Sequence, residues 1–483
     1  MKKTFLFATA LAALSMFCSC KDEIEMRYPP KYELPELPTV EGIHENQKAP
    51  LYWSVYENCY LQERQGHTGE ALDISEAEWD NIIDWVATNL KPYGYDMICT
   101  DGFIPMLDKE HRGYMTHYGK MALKDLVAKC KAKGLKLGVY DNPLWIHSDD
   151  DCVVEGTTYK YAGLKWNHKS TVMNPNAKEI FTWAVAENPG CEEFIDGFFK
   201  YYKELGVDFI RMDFLSWYED GKDRYAGIQG RGYGRENYAR ALAYIAASAK
   251  KYGVFTSLVM PHMYDDAVVE AKYGNMVRIV ADTGTGTWWH CSAQDKGKSY
   301  SNWPNCMNQF DGFKYWSHIA GRDKVILDGD FLRLNTFDND NERQTVVSLQ
   351  LLAGGPVAVA DQPGSIGDNL KFYTNSELLA LNADGFVGKP LSDKLGENNE
   401  VWYGQMKNGD WVVGLFNRDE NTATMTVDFS QLGISGEMNV RDLWKHVDEG
   451  KASSLTANVP AHGCKIVKLT KKERFLIVDW FYV

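Results

Sequence analysis

The stretch GVDFIRMDF, residues 206–214, decides the fold. A segment rich in Lys, Glu and aromatic residues runs into Gly206, a short apolar run follows, and the run ends on the carboxylate of Asp213. Glycine commonly ends a helix in the left-handed conformation, and a short apolar run is typical of a buried parallel strand. The pattern therefore predicts one unit of helix, turn and strand with a polar residue at the carboxyl end of the strand.

The same order of glycine, apolar run and polar end recurs along the chain. It is found at residues 94–101 (GYDMICTD) and 134–141 (GLKLGVYD), and residues 253–259 (GVFTSLV) repeat the glycine and the apolar run. Such units build a parallel barrel or a doubly wound sheet, and both place functional polar groups at the carboxyl ends of the strands. Four more apolar runs complete the predicted strands, at residues 49–56, 276–281, 325–327 and 356–360. Eight strands with intervening helices predict an α/β fold, a (β/α)8 TIM barrel over residues 49–382.

The sequence pattern changes after about residue 382. Residues 411–416 and 422–429 are rich in β-branched residues on either side of a turn and predict a β-hairpin, and residues 459–469 predict a closing strand. We therefore expect residues 383–483 to form a C-terminal antiparallel β-sandwich domain. The apolar tail at residues 475–483 is far too short to span a bilayer.

The N-terminus has the composition of an export signal. Two lysines precede an apolar run over residues 5–17, which is too short for a normal transmembrane helix. Cys20 follows the small residue Ser19, an arrangement that resembles bacterial lipoprotein signals, in which the cysteine becomes lipidated. Residues 1–20 are thus predicted to be a lipoprotein signal peptide, and an ordinary signal peptide is the alternative.

The segment that follows Cys20 is predicted to be a tether. Residues 21–48 contain four prolines and no hydrophobic periodicity. The sequence Lys-Asp-Glu at residues 21–23 is similar to the acidic tag of surface lipoproteins in Bacteroidetes. We expect an outer-membrane lipoprotein of a Gram-negative bacterium, at the cell surface or facing the periplasm, with membrane contact only through its lipid anchor.

The charge and the cysteine and histidine content of the chain restrict the classes of ligand and cofactor that it can bind. The formal net charge of −14 argues against a nucleic-acid ligand, which needs a basic face, and favours a neutral ligand such as a carbohydrate. Cysteines and histidines, including His262 and His290, lack metal-ligand spacing, so we predict no metal and no cofactor. Export permits disulfides, and Cys291 and Cys306, which bracket one loop, could pair or remain free and buried. No pattern in the sequence predicts an oligomeric state.

The predicted strand ends supply two carboxylates suited to acid–base chemistry. Asp213 follows the fourth strand and Asp282 the sixth, and strand ends of a barrel point towards a common centre. Glycosidic cleavage requires such a pair, because one carboxylate attacks or stabilises the anomeric carbon and the other protonates the leaving oxygen. Arg211 is expected to keep Asp213 ionised, and Arg278 precedes Asp282 in a similar way. A single Asp after a strand is more often a helix cap, but others stand at further strand ends: Asp101, Asp141 and Asp330.

With these segments the chain resembles glycoside hydrolase family 27, the α-galactosidase and α-N-acetylgalactosaminidase family, over roughly residues 50–470. Residues 206–213 resemble the strand of that family that ends in its nucleophilic Asp, and residues 275–282 resemble its acid/base segment. Further similar segments are residues 327–330, which match a substrate-binding Asp, and residues 441–444 and 459–463 of the sandwich domain.

The resemblance implies a retaining exo-acting glycosidase that removes terminal α-linked galactose. Asp213 would form the glycosyl-enzyme, and Asp282 would serve first as acid and then as base. The resemblance also implies substrate-binding roles for Tyr56, Asp101, Tyr140, Arg211, Arg278 and Asp330. Tyr56 stands where the family usually has a sugar-stacking Trp, and Arg211 where it has a Lys.

One departure from the family concerns the sugar. The second strand of the family normally ends in two adjacent Asp residues that bind the hydroxyls at C4 and C6, whereas this chain has Thr100 and Asp101. The loss of one charged acceptor weakens recognition of that edge by about 1 kcal/mol or more. We therefore keep Thr100 as a substrate-binding candidate and keep three alternative activities, those of a β-L-arabinopyranosidase, an α-N-acetylgalactosaminidase or an α-glucan-acting enzyme.

Two classes of function fit the sequence. The first is a surface glycosidase, and the second is a non-catalytic glycan-binding lipoprotein that keeps the barrel. Both predicted catalytic carboxylates are present, which favours the enzyme. Four tryptophans in predicted loops at the barrel mouth are candidates either for sugar stacking or for anchoring the loops: Trp145, Trp217, Trp288 and Trp289.

Overall fold

The structure is a computed structural model, and it describes residues 37–58, 74–101, 107–108 and 112–471 of the 483-residue chain. The predicted signal peptide with Cys20, the first part of the predicted tether and the tail at residues 475–483 lie outside the described residues. Among the residues described, no helix has both the length and the apolar composition needed to cross a membrane.

Eight parallel strands form one curled sheet. In chain order they are β1 (Leu51–Ser54), β2 (Met97–Cys99), β3 (Lys136–Tyr140), β4 (Val207–Met212), β5 (Phe255–Leu258), β6 (Met276–Arg278), β7 (Ile326–Asp328) and β8 (Val357–Val359). Each of β1 to β6 pairs with the next strand of the chain, and β8 returns to pair with β1. A parallel bridge between Leu332 and Val359 links the segment after β7 to β8 and closes the ring. The predicted TIM barrel is confirmed.

A helix of eight or more residues follows each strand. These helices are α1 (Glu76–Asn89), α2 (Leu123–Ala132), α3 (Cys191–Leu205), α4 (Gly234–Tyr252), α5 (Tyr264–Tyr273, with non-helical torsions at residues 265–267), α6 (Gln309–Trp316), α7 (Asp340–Ala353) and α8 (Ser376–Asp384). Local sequence sets their ends. Ser75 caps α1 in a capping box with Glu78, and Gly206 ends α3 at φ +96°, as the opening glycine pattern predicts.

Shorter elements lie in the loops that connect the strands and helices of the barrel. Helical turns span Lys91–Tyr93, Tyr161–Leu164, Leu215–Glu219, Trp289–Ala293, Leu334–Thr336, Gly367–Asn369 and Leu370–Tyr373. Two-residue strands pair as Leu107–Asp108 with Tyr114–Met115, His117–Tyr118 with Met121–Ala122, and Lys222–Asp223 with Gly227–Ile228.

Apolar side chains fill the barrel and the layer between its strands and helices. Tyr52, Met97, Phe209 and Met276 lie inside the barrel in one buried cluster. Gly138 on β3 makes room for this packing, because a Cβ there would lie 2.8 Å from the Phe209 ring. This packed interior supports the polar groups at the carboxyl ends of the strands.

The C-terminal domain consists of two antiparallel sheets, as predicted. Its strands are β9 (Lys389–Pro390), β10 (Asn399–Gln405), β11 (Trp411–Asn417), β12 (Ala423–Asp428), β13 (Met438–Asp442), β14 (Val447–Ala452), β15 (Ser454–Val459) and β16 (Cys464–Thr470), with a helical turn at Phe429–Leu432. Six strands form one sheet in the order β9, β10, β11, β16, β13, β14, and β12 pairs with β15 in the other. The two sheets enclose a core that includes Val413, Leu415, Val427 and Val467.

The predicted hairpin between residues 411–416 and 422–429 is wrong. Both segments are strands, but β11 pairs with β10 on one edge and with β16 on the other, so neither edge is available to β12. Asn417 diverts the chain at the end of β11, since its side-chain amide donates to the carbonyls of Asn421, Val459 and Pro460. The chain thus crosses to the second sheet.

The predicted tether is also too long. In its described part, residues 37–48, the chain packs against the barrel. The Tyr273 hydroxyl donates to the Pro38 carbonyl at 2.8 Å, and the Asn275 side-chain amide donates to the Ile43 carbonyl at 2.9 Å. These bonds fix the segment beside α5 and β6, so a tether that starts after Cys20 must end before Pro38.

The possible disulfide between Cys291 and Cys306 is absent, since both cysteines are free and buried. Burial raises the pKa of both thiols, which keeps them in the neutral form. Buried free cysteine, the alternative given above, describes both residues.

Candidate active site

Asp213 lies directly after β4, and two neighbouring groups hold its carboxylate while a third holds its backbone. The Tyr140 hydroxyl, at the end of β3, donates to Asp213 Oδ2 at 2.9 Å, and the backbone N–H of Phe214 donates to Oδ1 at 2.7 Å. The side-chain amide of Asn142 donates to the Asp213 carbonyl at 2.8 Å, which fixes the backbone. The predicted site residues Asp213 and Tyr140 are therefore in direct contact, and the hydrogen bonds fix the orientation of the Asp213 carboxylate.

Burial raises the pKa of Asp213 above its ordinary value. The positive charge of Arg211 and the hydrogen bonds from Phe214 and Tyr140 oppose the rise, whereas the negative charge of Asp282 adds to it. This interaction shows that Asp282 lies within electrostatic reach of Asp213. Arg211 was expected to keep Asp213 ionised, and its charge does act in that direction, but burial outweighs it.

Arg211 makes its ion pairs elsewhere, inside the barrel. Its Nε lies 3.4 Å from Asp101 Oδ2, at the end of β2. Its Nη1 and Nη2 lie 3.2 Å from Asp328 Oδ2 and 3.6 Å from Asp330 Oδ1, at the end of β7. One guanidinium thus joins three buried carboxylates from opposite sides of the barrel mouth.

Arg278, the last residue of β6, joins this group to Asp282. Its Nη2 lies 2.6 Å from Asp330 Oδ2 and 3.0 Å from Asp282 Oδ1. Asp282 differs from the other carboxylates because 68% of its side chain is exposed. We call the five buried residues of this cluster the mouth network: Asp101, Arg211, Arg278, Asp328 and Asp330.

The mouth network contains three carboxylates and two guanidinium groups. Burial raises the pKa of Asp101 to about 7 and that of Asp330 to about 6, against the opposing charges of the two arginines. Asp330 has a left-handed backbone at φ +78°, and its N–H donates to Asp328 Oδ1 while Gly284 N–H donates to its Oδ2. The strained backbone marks a position whose side-chain direction matters more than local energy.

Sequence reasoning missed Asp328 and Phe331 as site residues. Asp328 belongs to the segment 327–330 quoted above and could have been found there. Phe331 lies beneath the Arg211 guanidinium, 4.6 Å from its ring centroid, and stacks on the Tyr56 ring at 4.6 Å. Tyr56 is thus brought to the mouth as predicted, and no spacing rule in the sequence links it to Phe331.

Thr100 does not line the mouth in the way the sequence suggested. Its side chain is fully buried, and its Oγ1 accepts a hydrogen bond from the backbone N–H of Tyr140 at 3.1 Å. The hydroxyl therefore ties β2 to β3 behind Tyr140. Of the pair at the end of β2, Asp101 alone contributes a carboxylate to the mouth network.

Two of the four candidate tryptophans anchor loops, which is the second of the two roles that the sequence left open. Trp145 and Trp217 are almost fully buried, and Trp217 donates from Nε1 to Asp223 at 2.5 Å. Trp288 stacks on His462 of the C-terminal domain, whereas Trp289 is 56% exposed. The fifth strand-end residue considered, Asp141, accepts from the Tyr202 hydroxyl and from Asn142 N–H and lies outside the mouth network.

The arrangement combines one carboxylate that is half-buried and fixed by hydrogen bonds with one that is exposed and held by an arginine. A fixed, hydrogen-bonded carboxylate such as Asp213 is suited to attack at a defined position, whereas an exposed one such as Asp282 can exchange protons with solvent. Acceptors in surplus at the mouth network are suited to binding hydroxyl groups. In the part of the chain that is described, no group of three or more His, Cys, Asp or Glu side chains could hold a metal ion.

Comparison with known sequences finds relatives over most of the chain. Residues 396–469 match the alpha galactosidase C-terminal beta sandwich domain. The isomalto-dextranase of Arthrobacter globiformis is 39% identical over 442 residues, which cover 87% of this chain and 67% of that protein.

Comparison with solved structures agrees with the sequence match. The isomalto-dextranase of Arthrobacter globiformis T6, complexed with panose, has a TM-score of 0.80 and 37% identity, covering 92% of this chain and 76% of that one. A GH27 β-L-arabinopyranosidase from Geobacillus stearothermophilus, in complex with arabinose, has a TM-score of 0.67 and 18% identity, covering 90% and 100%. At that identity the second likeness shows a shared fold alone.

Proposed function

The chain belongs to glycoside hydrolase family 27 and is a glycoside hydrolase, and we propose that its substrate is a gluco-configured α-glycan, an α-1,6-linked glucan of the dextran type. The likeness to the isomalto-dextranase covers most of both chains and supports this choice over terminal galactose. The proposal selects one of the alternatives that the sequence left open.

The observation that carries the proposal is the burial of Thr100. Two adjacent carboxylates at the end of β2 would grip the C4 and C6 hydroxyls of galactose, and here the first position is occupied by a buried threonine that bonds to Tyr140. Asp101 remains as one acceptor, held by Arg211. A site with one acceptor at this edge no longer favours the axial C4 hydroxyl by the margin of a charged hydrogen bond, about 1.5–3 kcal/mol.

The proposed reaction is hydrolysis with retention at the anomeric carbon. A carboxylate oxygen of Asp213 forms a bond to the anomeric carbon as the bond to the leaving oxygen breaks, and Asp282 gives that oxygen its proton. Asp282 then takes a proton from water, whose oxygen displaces Asp213 and releases the sugar. The hydrogen bonds from Tyr140 and Phe214 direct the attacking oxygen.

An α-galactoside is the second candidate. The match of residues 396–469 to the domain named for α-galactosidases favours it, as do Asp101 and Asp330, which stand at the positions where the family binds sugar hydroxyls. A β-L-arabinopyranoside and an α-N-acetylgalactosaminide are further candidates of this family. The hydrolysis assay that distinguishes an α-galactoside from a glucan also distinguishes these two.

The test is a hydrolysis panel of dextran, isomaltotriose, panose and the p-nitrophenyl α-galactoside, α-N-acetylgalactosaminide and β-L-arabinopyranoside. We expect the glucans to be cleaved with an initial α-anomeric product, measured by NMR. Asp213→Asn should lower kcat/KM by more than about 1000-fold. Asp208→Asn is the matched control, because Asp208 lies on the same strand but at its opposite end, paired with Lys203. Cleavage of the galactoside with dextran untouched would overturn the proposal in favour of the second candidate.

We also propose that the protein is an outer-membrane lipoprotein anchored through Cys20. The apolar run before Ser19 and Cys20 supports this localisation. Labelling cells with a fatty-acid analogue tests it, since the wild type should carry the label and Cys20→Ser should not. Label on Cys20→Ser, or none on the wild type, would contradict the anchor.

A further inference from the structure

A small hairpin stands over the barrel mouth in the loop that follows Asp213. Its strands are Lys222–Asp223 and Gly227–Ile228, and Tyr225 lies at the tip. The Tyr225 side chain is one of the most exposed large apolar groups among the described residues, at 56%. Single exposed apolar residues are common on protein surfaces, so the exposure of Tyr225 bears on function only through its position in the loop that follows the candidate nucleophile.

The hairpin tip is tied to the candidate nucleophile through side-chain contacts. Asp223 Oδ1 accepts from the backbone N–H groups of Tyr225 and Ala226, each at 2.7 Å, and Oδ2 accepts from Trp217 Nε1. The Trp217 ring packs on Phe214 at 4.4 Å between centroids, and Phe214 follows Asp213 in the chain. The backbone under Tyr225 is therefore held at a fixed position relative to Asp213.

On its other side the hairpin is held by the loop between β6 and α6, which begins with Asp282. The Arg224 guanidinium lies over the Tyr300 ring, 3.1 Å from its centroid, and Nη1 donates to the Pro304 carbonyl at 2.7 Å. The Tyr225 hydroxyl donates to Met307 Sδ at 3.3 Å. These contacts fix the ring by its hydroxyl edge and leave a face open.

Asp282 lies on the same side of the mouth as this ring, because the Ala281 N–H donates to the Cys306 carbonyl at 3.0 Å and so brings the residue before Asp282 next to the residue before Met307. Burial raises the pKa of the Tyr225 phenol, and the negative charge of Asp282 adds to the rise. Tyr140 and the mouth network lie instead around Asp213 and the ends of β2 and β7. Since a general acid stands beside the leaving oxygen, a ring near Asp282 faces the leaving-group side of the scissile bond.

We propose that Tyr225 is a specificity-determining residue that binds the sugar on the leaving-group side, by stacking its open face on the apolar face of that sugar ring. This inference rests on the proposed function and deepens it, because it names the part of the glycan that the β4 loop recognises. Sugars present C–H groups on one face, and an aromatic ring held in place can bind them without losing side-chain freedom.

The test compares substrates with and without a leaving-group sugar. Wild type, Tyr225→Ala and Tyr225→Phe are assayed on the oligosaccharide that the wild type cleaves best and on the fluoride of the sugar that it releases, whose leaving group is a fluoride ion. We expect Tyr225→Ala to lower kcat/KM on the oligosaccharide about 10-fold, mainly through KM, and to change fluoride hydrolysis less than about twofold. Tyr225→Phe keeps the ring and should restore most of the loss.

Tyr93→Ala is the matched control, because Tyr93 is 41% exposed and precedes β2, at the opposite end of the barrel. It should leave both substrates unaffected. An equal loss on both substrates, or no loss with Tyr225→Ala, would overturn the role of Tyr225. If the panel shows that the enzyme takes galactose, the proposed substrate fails, but the same pair of substrates built on galactose still tests Tyr225.

Discussion

Two buried ionic clusters in this protein differ in what surrounds their carboxylates. The mouth network opens towards the candidate active site. A second cluster, which we call the interface network, joins the barrel to the C-terminal domain and consists of Arg418, Lys314, Asp311 and Glu400. Arg418 lies 2.9 Å from Asp311 Oδ1 and 2.8 Å from Glu400 Oε1, and these three side chains have no exposed surface.

The interface network is saturated with donors. Arg418 also donates to the Ser292 carbonyl, and Asp311 Oδ2 accepts from Gly297 N–H and Asn308. Burial alone would raise the pKa of Asp311, but Arg418 and these hydrogen bonds hold it below its ordinary value. In the mouth network, by contrast, Asp330 Oδ1 accepts no hydrogen bond from any described residue and has only the longer ion pair with Arg211 at 3.6 Å. A cluster that only stabilises is complete, whereas one that binds substrate keeps acceptors for it.

The largest expected effect is on the interface network. Arg418→Met leaves Asp311 and Glu400 buried without their main cation, which should lower the free energy of unfolding by about 3–5 kcal/mol. Activity per folded molecule should change less than about twofold. Urea unfolding and a dextran assay measure the two quantities. Arg240→Met removes a half-exposed i,i+4 pair with Glu236 and serves as the control, with a cost below about 0.5 kcal/mol. An equally small effect of Arg418→Met would show that the interface does not depend on this cluster.

The next largest effect is expected when Asp311, one carboxylate of the interface network, is neutralised. The pKa of Asp311 is lowered in the folded state, so its charge stabilises the fold above the unfolded pKa of about 4, and this stability is lost as the pH falls through the folded value. Asp311→Asn should therefore lower the free energy of unfolding by about 2 kcal/mol at pH 7, and the deficit should shrink below pH 4. A deficit that is independent of pH would mean that shape, not charge, is lost.

The corresponding change in the mouth network should have the opposite sign. The pKa of Asp101 is raised to about 7, so its ionised form destabilises the fold above pH 7, and the penalty fades as the pH falls towards 4. Asp101→Asn should raise the free energy of unfolding by about 1–2 kcal/mol at pH 8 and by nearly nothing at pH 4. It should also lower kcat/KM about 10- to 100-fold, because it removes a charged acceptor from the residues proposed to bind the sugar. Destabilisation at pH 8 would refute the idea of surplus charge at the mouth.

The sequence predicted which carboxylates lie at the mouth but not which cations pair with them. Glycine before four of the apolar runs, and a carboxylate after most of the eight, predicted the barrel. Asp101, Asp213 and Asp330 lie at one end of it, because parallel strands impose that placement whatever the loops do. The same logic could not show that Arg211 pairs with Asp101 and Asp328 instead of Asp213. Such a choice depends on distances across the barrel, which no spacing along the chain encodes.

The C-terminal domain shows the same limit. Alternating β-branched residues identified β11 and β12, but their pairing depended on which strand edges were already occupied. The interface network could not be predicted from the sequence for a related reason. Asp311 and Arg418 are separated by more than a hundred residues, and in the sequence each has the pattern of an ordinary surface charge. Burial, which makes them important, is a property of the assembled domains.

The smallest effect is expected at Thr100, whose hydroxyl, like the carboxylates of the interface network, already has a hydrogen-bond donor. The Thr100 hydroxyl already accepts from the Tyr140 N–H, so Thr100→Val leaves that N–H unpaired while keeping the shape of the side chain. We expect the free energy of unfolding to fall by about 1 kcal/mol. Since Tyr140 orients Asp213, kcat/KM should fall less than about 10-fold, by the same factor for every substrate. Thr100→Ser keeps the hydroxyl and should match the wild type. A change in the ratio of glucoside to galactoside hydrolysis with Thr100→Val would instead show that the hydroxyl touches the sugar, and the burial argument for a gluco-configured substrate would fail with it.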